Sequence, residues 1–128
     1  MARFGIKETG GERVGAEETG ATIRGAAILA AAGLDYLVVT RGSIYSVEKT
    51  RPDFHEGTGF NIDVCRAVRA ALRAAGHEIP VFLQGSIVEF GQAEWALGGY
   101  DDDALADGIE MTRAQIADPD LVTQLRHD

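Results

Sequence analysis

The chain has 128 residues, 45% hydrophobic and 25% charged, with a formal net charge of −8. That length suits one domain with a modest core. The acidic balance argues against a nucleic-acid surface, which needs a dense basic patch, and arginines scattered among acids suit an anionic membrane no better.

A single cysteine, Cys65, leaves no intrachain disulfide and no thiolate metal site to build, and fits a reducing, cytoplasmic setting. The N-terminus shows no apolar signal core. The longest apolar stretch, Ala26 to Ala32, is Ala-rich and too short to span a bilayer.

Short apolar runs alternate with longer helical patterns, a rhythm that predicts parallel strands joined by crossover helices. The first strand is expected at Arg3 to Lys7. A helix is expected over roughly Glu17 to Ala32, with Ile23, Ala27, Ala30 and Ala31 at helical spacing and Gly33 as its stop. Asp35 to Thr40 is nearly all apolar, as in a parallel strand buried on both faces. Arg41 to Phe60 is then a long connection containing Tyr45, Lys49, Arg51, Pro52, Asp53, Phe54 and His55; connections of this length are often lids or binding loops.

Asn61 is placed to cap the next helix, whose inward stripe would be Val64, Val68, Ala71, Leu72 and Ala75, with Arg66, Arg69 and Arg73 off the stripe and Gly76 as its end. The third strand is Val81 to Gln84. Gly85-Ser86 should turn into a short helix carrying Phe90, Ala93 and Leu97, which Gly98-Gly99 ends. The fourth strand is expected at about Gly108 to Met111, followed by a helical turn from Thr112-Arg113. Asp118-Pro119 would open a last helix, with Asp as cap and Pro at the first helical position. The pattern amounts to four βα units in one domain, 1–128.

Several conspicuous residues read most simply as ordinary structure. Cys65 adjoins the inward stripe as a small buried hydrophobe. His55 beside Glu56 lacks the ligand number of a metal site, and His77 and His127 read as solvated. Gly57-Thr58-Gly59 follows a loop rather than a strand, so it is not a dinucleotide fingerprint. Asp101-Asp102-Asp103 is an acidic surface run without calcium-loop spacing. No metal site is expected.

Two segments near the C-terminus are more specific: Pro80-Val81-Phe82-Leu83-Gln84-Gly85-Ser86-Ile87, and Ala106-Asp107-Gly108-Ile109-Glu110-Met111-Thr112-Arg113-Ala114 followed by Ile116-Ala117-Asp118-Pro119-Asp120-Leu121. They resemble the last two strands of the barrel in the old yellow enzyme, or NADH:flavin oxidoreductase, family. The resemblance is greatest to its 2,4-dienoyl-CoA reductase-like, mycofactocin-associated branch. Gly33 to Val39 resembles the family's sixth strand, and Tyr45 to Pro52 the segment after it.

The resemblance implies a partial (β/α)8 TIM barrel whose four βα units correspond to strands five to eight. It also implies FMN as cofactor, NAD(P)H as hydride donor, and an activated alkene such as an enoyl-CoA or enone as the small-molecule acceptor. In such barrels the flavin phosphate sits between the loops after strands seven and eight, near a short helix N-terminus. Gly85, Ser86, Thr112 and Arg113 would then hold it, Gly85 through close backbone approach and Arg113 through its fixed charge. Lys7 would stand where the family has a cation beneath the flavin pyrimidine ring.

A full barrel takes about 250 residues. The resemblance implies that strands one to four, with the flavin-edge contacts and the His-containing substrate motif, are not in this sequence, so no catalytic residue is assigned. A half-barrel would leave open edges and a bare inner face. A complementary half-barrel or self-association would cover them. Two other readings are a non-catalytic half-barrel that binds a phosphate-bearing ligand or a partner subunit, and a decayed fragment without independent function.

Overall fold

The computed structural model describes residues 3–8, 15–42, 47–51, 55–99 and 103–124, with side chains from residue 19 onward. Strand β1 (Arg3–Glu8) leads to α1 (Gly15–Ala31) and β2 (Tyr36–Arg41). A four-residue helix α2 (Val47–Thr50) and α3 (Ile62–Ala74) come before β3 (Val81–Gln84). Helix α4 (Phe90–Ala96), β4 (Gly108–Glu110), α5 (Thr112–Ala117) and α6 (Leu121–Gln124) complete the order.

All three strand pairings are parallel, and the sheet order is β1-β2-β3-β4. The protein is thus α/β, with strands laid down in sequence order and none of the reversal that marks a doubly wound sheet.

One helical layer covers one face of this sheet. Leu37 and Val39 of β2, with Val81 and Leu83 of β3, form a single buried cluster with Ala26 and Ala30 of α1, four residues of α3, and Ala93 and Ala96 of α4. Strand side chains alternate, so the other face carries Tyr36, Val38, Thr40, Phe82, Gln84, Gly108 and Glu110. There the Tyr36 and Phe82 rings meet edge to face at 5.5 Å. A Cβ on Gly108 would run into the Phe82 ring, so the missing side chain makes room for it.

Several boundaries and faces differ from expectation. The innermost described residues of α1 are Thr22, Ala26 and Ala30, of which Ala30 was expected. Ile23 and Ala27 pack at the core's edge, and Ala31 is exposed. The reason is that α1 packs against α3 as well as against the sheet, and alanines let the two helices approach closely. On α3 the buried set is Val64, Cys65, Val68 and Leu72, with Ala71 half-buried and Ala75 exposed. Leu97 lies past the end of α4 and is 45% exposed. The last helix begins at Leu121, later than the Asp-Pro pair suggested, and Asp118 instead accepts the Asp120 N–H at 3.0 Å in a turn.

At the N-terminal ends of β3 and β4, Asp107 ties the layers together. Its Oδ1 accepts from Arg69 Nε at 3.1 Å, and its Oδ2 from Arg73 Nη2 at 2.8 Å and from the Val81 N–H at 2.9 Å. The two arginines also donate to the carbonyls of Ala104, His77 and Ile79. Burial opposes ionisation of Asp107, but the Val81 N–H and the two guanidiniums outweigh it and hold the carboxyl below its usual pKa of 3.8.

Candidate functional site

The polar residues on this second face lie at the C-terminal ends of the strands. Register aligns Val38 with Phe82 and Gln84 with Glu110, which puts Thr40, Gln84 and Glu110 in one row. Lys7 extends that row along the backbone, paired with Thr40, though its side chain lies outside the described set. Parallel strands point their carbonyl ends and following loops to the same rim, where ligands of open and closed α/β sheets collect.

A cavity of about 450 Å³ opens at this rim, within the usual range for small-molecule sites. Thr40 enters it from β2, and Thr50 and Arg51 from the end of α2. Gln84, Gly85 and Ser86 line it from the end of β3, and Glu110, Thr112 and Arg113 from β4 and the first turn of α5.

The β3 turn is built by several local ties. Gly85 has φ +65, a region that glycine enters without penalty, and the Gly85–Ser86 peptide is cis. The Ser86 carbonyl accepts the Gly59 N–H at 2.9 Å, and Asn61 Nδ2 donates to the Gln84 carbonyl at 2.6 Å. Asn61 therefore does not cap α3 through its side chain as expected: it stands at the N-cap position, but its amide is spent on the strand end. It is 2% exposed, and its Oδ1 has no hydrogen-bond partner among the described residues. The Gly85-Ser86 turn does not run straight into α4, which starts four residues later with Glu89 at the N-cap position.

Of the five residues expected to bind cofactor, Gly85, Ser86, Thr112 and Arg113 line this one cavity. Arg113 Nη2 lies 3.2 Å from Ser86 Oγ and donates to it, joining the turns after β3 and β4. Such a pair offers a hydroxyl and a guanidinium to one anion. Glu110 brings a carboxylate to the same wall and takes part in an interaction of its own.

Thr40, Arg51, Asn61, Gln84 and Glu110 were not singled out from the sequence for this site. A polar residue closing an otherwise apolar strand, as in Thr40 and Gln84, was the available signal.

In the connection after β2, the strand extends through Arg41, and α2 lies within the expected loop. Arg41 Nη1 donates to the Phe60 carbonyl at 2.9 Å, and its guanidinium stands 5.2 Å from the Phe60 ring centre and bonds Asp63. Tyr45, Pro52, Asp53 and Phe54 lie outside the described residues, as do Asp101, Asp102 and His127. His55 is exposed and His77 half-buried. Among the described residues no cluster of three or more His, Cys, Asp or Glu is arranged to hold a metal ion, and no helix is long and apolar enough to cross a membrane. Cys65 is fully buried, and burial pushes its thiol pKa up to about 12.

Comparison with protein-family models and with curated proteins finds no match to this chain.

Proposed function

We propose that this chain is the phosphate-binding half of an FMN-dependent NAD(P)H:flavin oxidoreductase of the old yellow enzyme kind. The observation that carries the reading is the Arg113–Ser86 contact at 3.2 Å on a cavity at the C-terminal rim of a parallel sheet. Sequential strand order with helices packed on one face is what a segment of a (β/α)8 barrel requires, and further strands along β1 and β4 would turn the second face into a barrel interior.

The donor set suits a phosphate. Arg113 supplies a fixed charge and Ser86 and Thr112 supply hydroxyls, while Gly85 keeps side-chain bulk away from the bound group. Glu110 works against an anion placed beside it, so the phosphate would sit on the Ser86 side. Lys7, at the end of β1, would extend the polar row toward the flavin ring. When bound, FMN would supply hydride transfer from a reduced nicotinamide to an activated alkene such as an enone or enoyl thioester. The chain's own residues bind and orient. A complementary half-barrel or a second copy would complete the cradle, and exposed Ile116 and Val122 lie beside the β4 edge where such a neighbour would join.

Titration of FMN and of riboflavin, followed by flavin fluorescence, tests this. FMN should bind about ten times more tightly than riboflavin, and Arg113→Gln should remove that difference. Equal binding of the two flavins, or none, would overturn the proposal. Saturable binding of inorganic phosphate without any flavin preference would favour the non-catalytic phosphate-binding reading.

A further inference from the structure

We infer that Arg51 is a second cationic arm of this cavity, gripping the ligand's anionic head from the β2 side while Arg113 holds it from the β4 side. The inference rests on the proposed phosphate site and adds a residue that decides which anions it accepts.

Arg51 follows α2 directly and lines the same cavity as Ser86 and Arg113. Other arginines of the fold are committed elsewhere: Arg41 to Phe60 and Asp63, Arg69 and Arg73 to Asp107 and nearby carbonyls. The Arg51 guanidinium makes no hydrogen bond or ion pair among the described residues.

Thr50, just before it, is held in place, since its hydroxyl donates to the Val47 carbonyl at 2.6 Å and its backbone packs against Gly42. The arm therefore starts from a short helix whose last residue lies against Gly42, the residue after β2.

Charge count explains why a second arm is useful. A phosphomonoester carries about −1.5 to −2 near neutral pH. One guanidinium leaves the phosphate under-neutralised, and two match its own charge.

Burial gives the ligand a direction. Arg51 and Arg113 are exposed at the mouth, whereas Glu110 is half-buried and Asn61 is buried with an unpartnered acceptor. The Glu110 carboxylate on the inner wall disfavours a second anionic group there. The ligand class is a phosphomonoester with a neutral body, entered body first.

The test uses inorganic phosphate, FMN and riboflavin as probes by calorimetry, with Arg51→Gln, Arg51→Lys and Arg113→Gln. Arg51→Gln should weaken phosphate and FMN about tenfold and leave riboflavin unchanged, and Arg51→Lys should recover part of the loss. Because Arg51 is exposed, its thermal transition should match the parent. Loss in Arg113→Gln with Arg51→Gln within about twofold of the parent would overturn the inference. Phosphate binding that depends on Arg51 in a chain that binds no flavin would support the inference and sink the flavin reading. No phosphate binding by the parent chain would sink both.

Discussion

Replacing Asp107 tests whether the β3–β4 junction depends on one carboxylate. Asp107→Ala removes the acceptor for the Val81 N–H, and Val81 is fully buried. An unsatisfied buried amide costs about 1–3 kcal/mol. The change also strands Arg69 and Arg73, whose side chains are each 24% exposed against 22% for Asp107. These pairs lie between surface and interior, so about 0.5–1 kcal/mol each is appropriate. Water reaching the vacated site lowers the sum, and about 3 kcal/mol is expected. Asp107→Asn keeps one acceptor oxygen for Val81 but loses the charge and the second acceptor, which takes Arg69, so about 1–2 kcal/mol is expected.

The acid dependence has a definite sign. The folded carboxyl titrates below 3.8, so its contribution is complete above that pH and disappears as pH falls through the lowered folded value. Urea denaturation followed by far-UV circular dichroism should show the Ala deficit at neutral pH and a shrinking gap to the parent in acid. A deficit under about 1 kcal/mol for Ala, or equal deficits for Ala and Asn, would refute the reasoning.

Other substitutions probe the turns that shape the cavity. Gly42→Ala should lower stability by about 2 kcal/mol or more in a thermal melt, because φ is +95 and its Cβ would stand 2.5 Å from the Thr50 backbone nitrogen. Asn61→Ala should loosen the β3 turn, costing about 1–2 kcal/mol and weakening ligand binding, since the Gln84 carbonyl loses its donor. Cys65 should resist a thiol reagent in the folded protein at mildly alkaline pH, where a group with a pKa of about 12 is almost wholly protonated, and should react once urea unfolds the chain.

The middle of the parallel sheet was legible because β2 and β3 are nearly continuous apolar runs. Tyr36 to Thr40 and Val81 to Gln84 stand where the pattern predicts, and Gly33 and Gly76 end the preceding turns with positive φ. That Gly85, Ser86, Thr112 and Arg113 share one cavity was expected from the family resemblance rather than from local pattern.

Tertiary competition was not. Asn61 has the chemistry of a helix cap, but a strand carbonyl 23 residues away takes its amide. Arg69 and Arg73 read only as lying off the helix's inward stripe, yet Asp107, more than thirty positions on, collects both. Arg51 was legible only as one member of a long connection, because its neighbours on the cavity come from the ends of β2, β3 and β4. Side-chain partners that far apart in sequence leave no periodicity to read.

Phosphorus NMR of FMN with and without the chain tests the central claim most directly. The account predicts that the FMN phosphate resonance shifts and broadens on binding, and that Arg113→Gln abolishes the effect. A flavin that binds with its phosphorus signal unmoved, or a shift that survives Arg113→Gln intact, would contradict it.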